Sequence, residues 1–505
     1  MDGVQLRSGD WFHWVELLEF SGGCTRPAEM ETQAWAWEEF GKVRTGDLRR
    51  TKRVLLLAQR AAESPDGCLA AVCRSRRERE GAYDLLQSGR VSAETLLEGI
   101  CSATADRCSS VSRVHVAVDG SSIRVGGDVR GESFGAVGSH TQKGRGIKVI
   151  SGLAVGPAGQ ALGITSQVWW TRTQRQRLSD CRKRAVADKE TRFWLEAIDG
   201  SRQVLNAGAP DTKLCFVLDR EADNQSVLKH LADVGSEFII RARHNRRLDA
   251  GNRRTRPRAA GTPLLLDAVK KASVVARCRL TMPAREGRPA RIAQVAVRTL
   301  QARLMRLNRR SQMLAPLEVN VVDVQETGRP RLGPPMRWTL LTNRPVNTAR
   351  KALAIVEGYT CRWRIEELHR TWKSGSCNVE RSQLRSVSAL TAWATLLATV
   401  AARIERIKHL SRNMPNASAL ELYSADELIA LRMMRKRYYP DATLPDTDAL
   451  SVGTATAWLA DMGGYVQTSA RRPPGTVVLA RGLERLRLCV DAMIAARNDH
   501  GRTEK

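Results

Sequence analysis

The sequence contains no Cys-x-x-Cys pair and no His-x-x-x-His pair. Its 11 cysteines are odd in number and scattered, and Cys68/Cys73 and Cys101/Cys108 have neither zinc-type spacing nor a histidine nearby. These absences argue against a zinc enzyme and point to reduced, structural thiols in a cytosolic protein. No stretch approaches the roughly 18 unbroken apolar residues that a membrane span needs; the nearest, from Ala389 to Ala402, reads as a buried helix. Asp10, Glu16, Glu19 and Arg26 interrupt the N-terminal residues, which offer no basic start, continuous apolar segment or small-residue cleavage site, so a secretory leader is not expected. No internal repeat is evident. Acids are the other shortage: 53 Asp and Glu oppose 81 Lys and Arg, leaving a net +28. That excess exceeds what solubility requires and implies a polyanionic partner, nucleic acid or an anionic membrane surface. A chain of 505 residues, 42% hydrophobic, is long enough for three or four packed domains at roughly 100–200 residues each.

The positive charge is concentrated. From Arg241 to Arg310 there are 20 Lys/Arg against three acids (Asp249, Asp267, Glu286), a net +17. A solvated loop could carry such a run, but it repels itself unless phosphates neutralise it, which favours nucleic acid as the partner.

Residues 31–105 read as helical. Asp47 is a candidate N-cap for a segment starting at Leu48, in which basic and apolar positions separate at helical spacing, as in a small DNA-binding head. From Arg113 the period becomes two: Val114, Val116 and Val118 alternate with His115 and Ala117, and the strand is expected to end at Asp119-Gly-Ser-Ser. Strands follow over 148–155 and 161–169, which suggests an antiparallel meander with tight turns. The next strand, Leu214 to Leu218, also finishes on an aspartate, Asp219, and a helical stretch runs on to Ala232. A strand over 237–241 precedes the basic tract, and 242–337 reads as a mostly β insertion. Strand character resumes at Trp338–Thr342, and one long helix is expected over about 348–374. Strands alternating with helices around a β insert imply an α/β core split in sequence but continuous in space.

The long helix carries Tyr359, Arg362, Glu366, Arg370 and Lys373 at steps of 3, 4, 4 and 3, which stacks them along one face. An exposed face with internal ion pairs is one reading. Three cations against a single acid fit a phosphate backbone laid across the face better. Glu366, joined by the two strand-end aspartates, would supply oxygen ligands for a pair of Mg²⁺ ions, which prefer carboxylates and phosphate oxygens. Such a pair suits in-line displacement at phosphorus. Glu367 is turned about 100° away on the same helix, while Glu221 and Asp223 could support the cluster from behind.

These residues, Asp119, Asp219 and Tyr359-x2-Arg362-x3-Glu366-x6-Lys373, resemble the DDE triad and Y-R-E-K signature of bacterial cut-and-paste DDE transposases of the insertion-sequence-four family. The likeness runs from about Ala34 to Arg497 and is tightest over Trp338 to Gly375. It implies that Asp119, Asp219 and Glu366 are the catalytic, metal-binding triad of an RNase H-like core, using two Mg²⁺ ions with Mn²⁺ able to substitute. It implies that Arg241, Tyr359, Arg362 and Lys373 hold phosphates of the transposon end. It also implies that Trp338, which otherwise reads as a core strand residue, stacks on an extruded base. Gly46-Asp47-Leu-Arg49-Arg50-Thr-Lys-Arg53 resembles the family segment whose arginines touch end DNA, so Arg49, Arg50 and Arg53 are candidate DNA contacts, with a solvated helix face as the plainer alternative.

The expected architecture is α/β: an extension of unassigned status (1–30), an N-terminal helical DNA-binding domain (31–105), an RNase H-like core in two parts (106–241 and 338–410) around the β insertion (242–337), and a C-terminal helical region (411–505). Leu479, Leu483, Leu486, Val490 and Ile494 recur at helical spacing in the last region, where relatives form homodimers; packing within the monomer is the alternative. The chain has about thirty residues ahead of the family's usual start, with Met30 just before the head, so Met1 to Glu29 is either an upstream overreach or an appendage. Asp119 is followed by Gly-Ser-Ser where relatives have threonines. The expected partners are duplex transposon ends and target DNA, with no membrane, in the bacterial cytoplasm. The expected reaction is end nicking, hairpin formation and opening, and strand transfer. The alternatives are a structure-specific RNase H-like nuclease and an inactive, transposase-derived repressor.

Overall fold

In the computed structural model, residues 35–503 are described apart from 127–133, 139–143, 173–185, 187, 250–261, 283–289, 309–311, 329, 331–332 and 467–472. The extension expected over 1–30 and the densest part of the basic tract lie outside the described residues.

The N-terminal segment is helical: α1 (Leu48–Glu63), α2 (Leu69–Val72), α3 (Arg76–Gln87) and α4 (Ala93–Ser109). Asp47 caps α1 by accepting the Arg49 N–H at 2.8 Å, and Ser75 and Ser92 cap α3 and α4 in the same way. Capping satisfies backbone donors that a helix start would otherwise leave unpaired. The apolar stripe of α1 (Val54, Leu57, Ala58, Ala61) packs with Leu86 of α3 and Ile100 of α4, and the same cluster contains Trp393 and Leu397 of a later helix, α10 (Val387–Asn413). The head and the core therefore share one hydrophobic interior. The Trp393 indole N–H donates to the Gly67 carbonyl at 2.8 Å, so the one polar atom of that buried ring is satisfied. The 27-residue helix α10 is long and apolar enough to cross a membrane, yet 83% of its most apolar window is buried inside the protein.

The strands are β1 (Arg113–Arg124), β2 (Gly135–Val137), β3 (Gly144–Val155), β4 (Ala161–Trp170), β5 (Lys213–Leu218), β6 (Glu237–Arg241), β7 (Val274–Met282), β8 (Arg291–Leu307), β9 (Met313–Glu326) and β10 (Arg337–Thr342). They form one sheet in the order β2-β3-β1-β5-β6-β10-β9-β8-β7, with β4 beside β3. β1, β5 and β6 run parallel, while β3 and β4 are antiparallel to their neighbours. The parallel links pass through helices, α5 (Thr191–Gly208) before β5 and α6 (Gln225–Asp233) before β6. Both faces of the sheet are covered: Val114, Val116 and Val118 of β1 face one cluster with α5, while Ala117 and Ile123 face another with α10. A mixed α/β sheet of this order is consistent with an RNase H-like core.

Three expectations need correction. β1 does not stop at Asp119 but pairs with β3 through Arg124, so Asp119 is a mid-strand residue. Tight-turn geometry holds only between β3 and β4; β1 and β3 are joined by a longer segment that includes β2. The strands of 242–337, a region that also holds the short helix α7 (Leu265–Lys270), extend the central sheet, with β9 pairing β10 in register Trp338↔Val324. Finally, the long helix is two: α8 (Ala349–Thr360) and α9 (Trp363–Lys373), broken at Cys361 and Arg362.

The C-terminal helices α11 (Ala425–Tyr438), α12 (Val452–Met462) and α13 (Thr476–Thr503) form a cluster of their own. Leu479, Leu483, Leu486, Val490 and Ile494 of α13 are all buried in it, so this stripe is occupied within the chain.

His115 of β1 makes the sheet pH-sensitive. Both of its ring nitrogens are shielded and without a hydrogen-bond partner, and α8 lies so close that a Cβ on Gly358 would meet Nε2 at 2.8 Å. Burial, aided by Arg344 and Arg113, pushes its pKa down to about 4. The unfolded chain takes up this proton near pH 6.5 and the folded chain only near 4. Stability attributable to His115 therefore falls as pH drops through that window, by up to about 1.4 kcal/mol per pH unit. Urea unfolding across pH 4 to 7 should show a shallower slope for His115→Gln than for the unaltered protein.

Candidate active site

The site begins with strand register. β1 and β5 pair in parallel up to Val118 opposite Leu218, so Asp119, within β1, and Asp219, the first residue past the end of β5, follow matched positions, near enough that the charge of Asp219 is felt at Asp119. Asp119 Oδ1 accepts the Gly120 N–H at 2.9 Å. Asp219 caps a short 3₁₀ turn, Arg220–Ala222, accepting the Glu221 N–H at 2.7 Å. Burial pushes the Asp119 carboxyl up to about 7; the Arg362 guanidinium pulls against that shift, and the Asp219 carboxylate adds to it. Charge on Asp119 is thus costly without a cation beside it.

The cation present is Arg362. At the break between α8 and α9 its guanidinium reaches Asp119 Oδ2 at 3.4 Å with Nη1 and forms a close ion pair with Glu366 through Nη2. One side chain thus joins the acid from the sheet to the acid from the helix. Among the described residues, no three His, Cys, Asp or Glu side chains are gathered in a group that could hold a metal ion as they stand. The guanidinium bridges Asp119 and Glu366.

The other residues singled out in the sequence divide. Tyr359 is buried and hydrogen-bonded to Arg241, whose pKa burial lowers and the tyrosine counteracts. Arg241 also donates to the Arg337 carbonyl at 3.0 Å. Trp338 is a core residue, 3% exposed, edge-on to Tyr359 at 5.0 Å and to Trp363 at 5.6 Å. Lys373 lies 3.8 Å from Glu380, and Arg370 is exposed. Of the two readings of this row, internal ion pairs and a bound phosphate backbone, the first is met in part, since Arg362 and Lys373 both face carboxylates. Asp223 is also no free ligand, because its buried carboxylate pairs with Arg246 and accepts the N–H groups of Arg243 and His244. On α1, Arg49 and Arg53 are exposed, while Arg50 is partly buried and donates to the Thr45 carbonyl at 3.0 Å.

Residues 188–402 match the family described as transposase DDE domain, and residues 32–91 match the one described as transposase DNA-binding. The chain carries a transposase DNA-binding domain and a DDE transposase domain. Arg49, Arg50 and Arg53 fall inside the first domain; Asp219 and Glu366 fall inside the second, and Asp119 lies ahead of its matched residues.

Behind α9 lies a partly buried ionic brace that the sequence did not announce. Arg364 and Glu367 form a 2.7 Å ion pair, and Lys408 of α10 lies 3.6 Å from Glu367 and in close contact with Glu405. Thr371 of α9 donates its hydroxyl to Glu405, and the Trp372 indole donates to the Ala394 carbonyl at 2.8 Å. The Lys408 and Glu405 spacing of three on an apolar helix was the available signal. Lys408→Met would leave Glu405 and Glu367 facing a neutral side chain in the interior, a loss of the order of 3–5 kcal/mol. Urea unfolding should read that loss, and a change below about 1 kcal/mol would remove the brace from this account.

Proposed function

We propose that the protein is a cut-and-paste transposase of the insertion-sequence-four type, cleaving and joining DNA at one active centre made of Asp119, Asp219 and Glu366. The observation that carries this reading is that Asp119 and Asp219 directly follow the paired Val118 and Leu218 of parallel β1 and β5, with Asp119 linked through Arg362 to Glu366, in a chain with transposase DNA-binding and DDE domains. The three carboxylates fit a divalent metal centre. Their oxygens are the ligand type that Mg²⁺ and Mn²⁺ prefer, and the desolvated Asp119 needs positive charge. Bound there, such ions supply activation of an attacking hydroxyl and neutralisation of the leaving oxygen at phosphorus.

The chain's own residues supply position and charge. Arg49, Arg50 and Arg53 present cations on or near one helix start for the transposon end. Arg362, which touches two of the acids, Tyr359 and Arg241 beside it, and Lys373 two turns along α9 from Glu366 would hold the phosphates on either side of the scissile bond. Trp338 would have to leave its packing against Tyr359 and Trp363 to stack on an extruded base. One centre serves end nicking, hairpin formation by the freed 3′-OH, hairpin opening and strand transfer. The protein would act as a homodimer in the cytoplasm, using an outer face of α13 where Val477 and Leu488 are exposed.

Asp119→Asn, Asp219→Asn and Glu366→Gln should each abolish cleavage of DNA carrying the element's ends in Mg²⁺ while leaving gel-shift binding within about two-fold. Cleavage surviving any one of them removes that residue from the triad. A joining assay with a pre-cut end separates this reading from that of a nuclease, which would cut but not join. Binding should fall steeply with salt, each phosphate contact adding about −0.9 to the logarithmic slope; a flat salt titration contradicts the electrostatic interface.

A further inference from the structure

We infer that Arg362 is a resident counter-cation of the carboxylate cluster: it competes with divalent metal for Asp119 and Glu366, and gives them up when its guanidinium moves onto a phosphate of bound DNA. This rests on reading the three acids as a metal centre. It adds that access to the centre is gated by a residue of the chain and coupled to DNA.

Three observations support it. The first is placement: the Arg362 side chain is 8% exposed and touches both acids at once, Asp119 at 3.4 Å and Glu366 more closely. A divalent ion shared by those acids would lie against a guanidinium, and like charges a few ångströms apart repel strongly in a desolvated site. The second is incomplete satisfaction. Arg362 Nε is buried without a hydrogen-bond partner, so a donor of this planar fork has nothing to donate to. A phosphate can take two guanidinium donors side by side, which carboxylates approached from different elements do not offer. The third is the setting. Arg362 lies between helices, not within one, its backbone N–H donating to the Tyr359 carbonyl at 3.1 Å. Arg220 and Arg241 lie close enough to disfavour further positive charge beside Tyr359. A guanidinium leaving the acids enters a cationic neighbourhood that an anion must neutralise, and DNA supplies that anion.

The arrangement requires reciprocity. If DNA binding raises metal affinity by some factor, metal must raise DNA affinity by the same factor.

The test is Mn²⁺ binding to the full-length protein, read by electron paramagnetic resonance, with and without a short duplex of arbitrary sequence, in the unaltered protein, Arg362→Gln, Arg362→Lys and Asp119→Asn/Arg362→Gln. Without DNA, Arg362→Gln should bind Mn²⁺ about ten-fold or more tightly than the unaltered protein, and the added Asp119→Asn should abolish the gain. Arg362→Lys, which keeps the charge without the bridging fork, should fall between. Added duplex should tighten Mn²⁺ binding to the unaltered protein but change Arg362→Gln little. Equal Mn²⁺ affinity of the unaltered protein and Arg362→Gln, with binding lost in Asp119→Asn/Arg362→Gln, overturns the inference and leaves the metal centre standing. No Asp119-dependent Mn²⁺ binding in any protein, with or without duplex, overturns both.

Discussion

The organisation of this protein follows from the cost of keeping Asp119 ionised. Parallel pairing of β1 and β5 brings Asp219, just past the end of β5, close enough to add its charge to that of Asp119, which is buried within β1, and burial alone would favour the protonated acid. A cation must come from elsewhere in the chain. Arg362 provides it from the junction of two helices, and in doing so ties Glu366 to the sheet. The relative placement of sheet and helix is thus partly an electrostatic matter, with hydrophobic packing of Ile365, Leu368 and Trp372 completing it.

Behind that junction, α9 rests on α10 through two kinds of contact. Its apolar side joins the cluster that α10 shares with the head, and its Thr371 and Glu367 meet Glu405 and Lys408. Buried charges of this sort add little net stability compared with an apolar substitute, but they penalise sliding or rotation because each displaced group loses its partner. Such a penalty fixes the face of α9 that carries Glu366.

Much of this could be read in the residues, for identifiable reasons. The alternation of Val114, Val116 and Val118, and the short apolar run ending at Leu218, mark strands because each buries a face with period two or both faces outright. The capping preference of Asp47 marks the start of α1. The end of β1 was not legible: Gly-Ser-Ser looks like a turn locally, and only the long pairing with β3 keeps it extended. The break at Cys361 and Arg362 was hidden too, since Tyr359 to Lys373 keep helical spacing across it. Spacing also placed Arg362 four residues before Glu366, the arrangement of an ordinary ion pair. Its second partner, Asp119, lies 243 positions away and is supplied by tertiary structure alone. The absorption of the basic strands into the main sheet was likewise invisible, because pairing partners across such distances leave no local period.

Helix α10 has one more consequence. Its Trp393 and Leu397 are lined by side chains from the DNA-reading segment as well as from the core, with the Trp393 indole bonded to Gly67 of that segment. Modules that recombine freely in evolution meet across wet, polar seams; here the seam is hydrocarbon. A relative's DNA-binding segment grafted onto this chain would have to bring the facing half of α10 with it, so that segment and the sheet scaffold are constrained to diverge together.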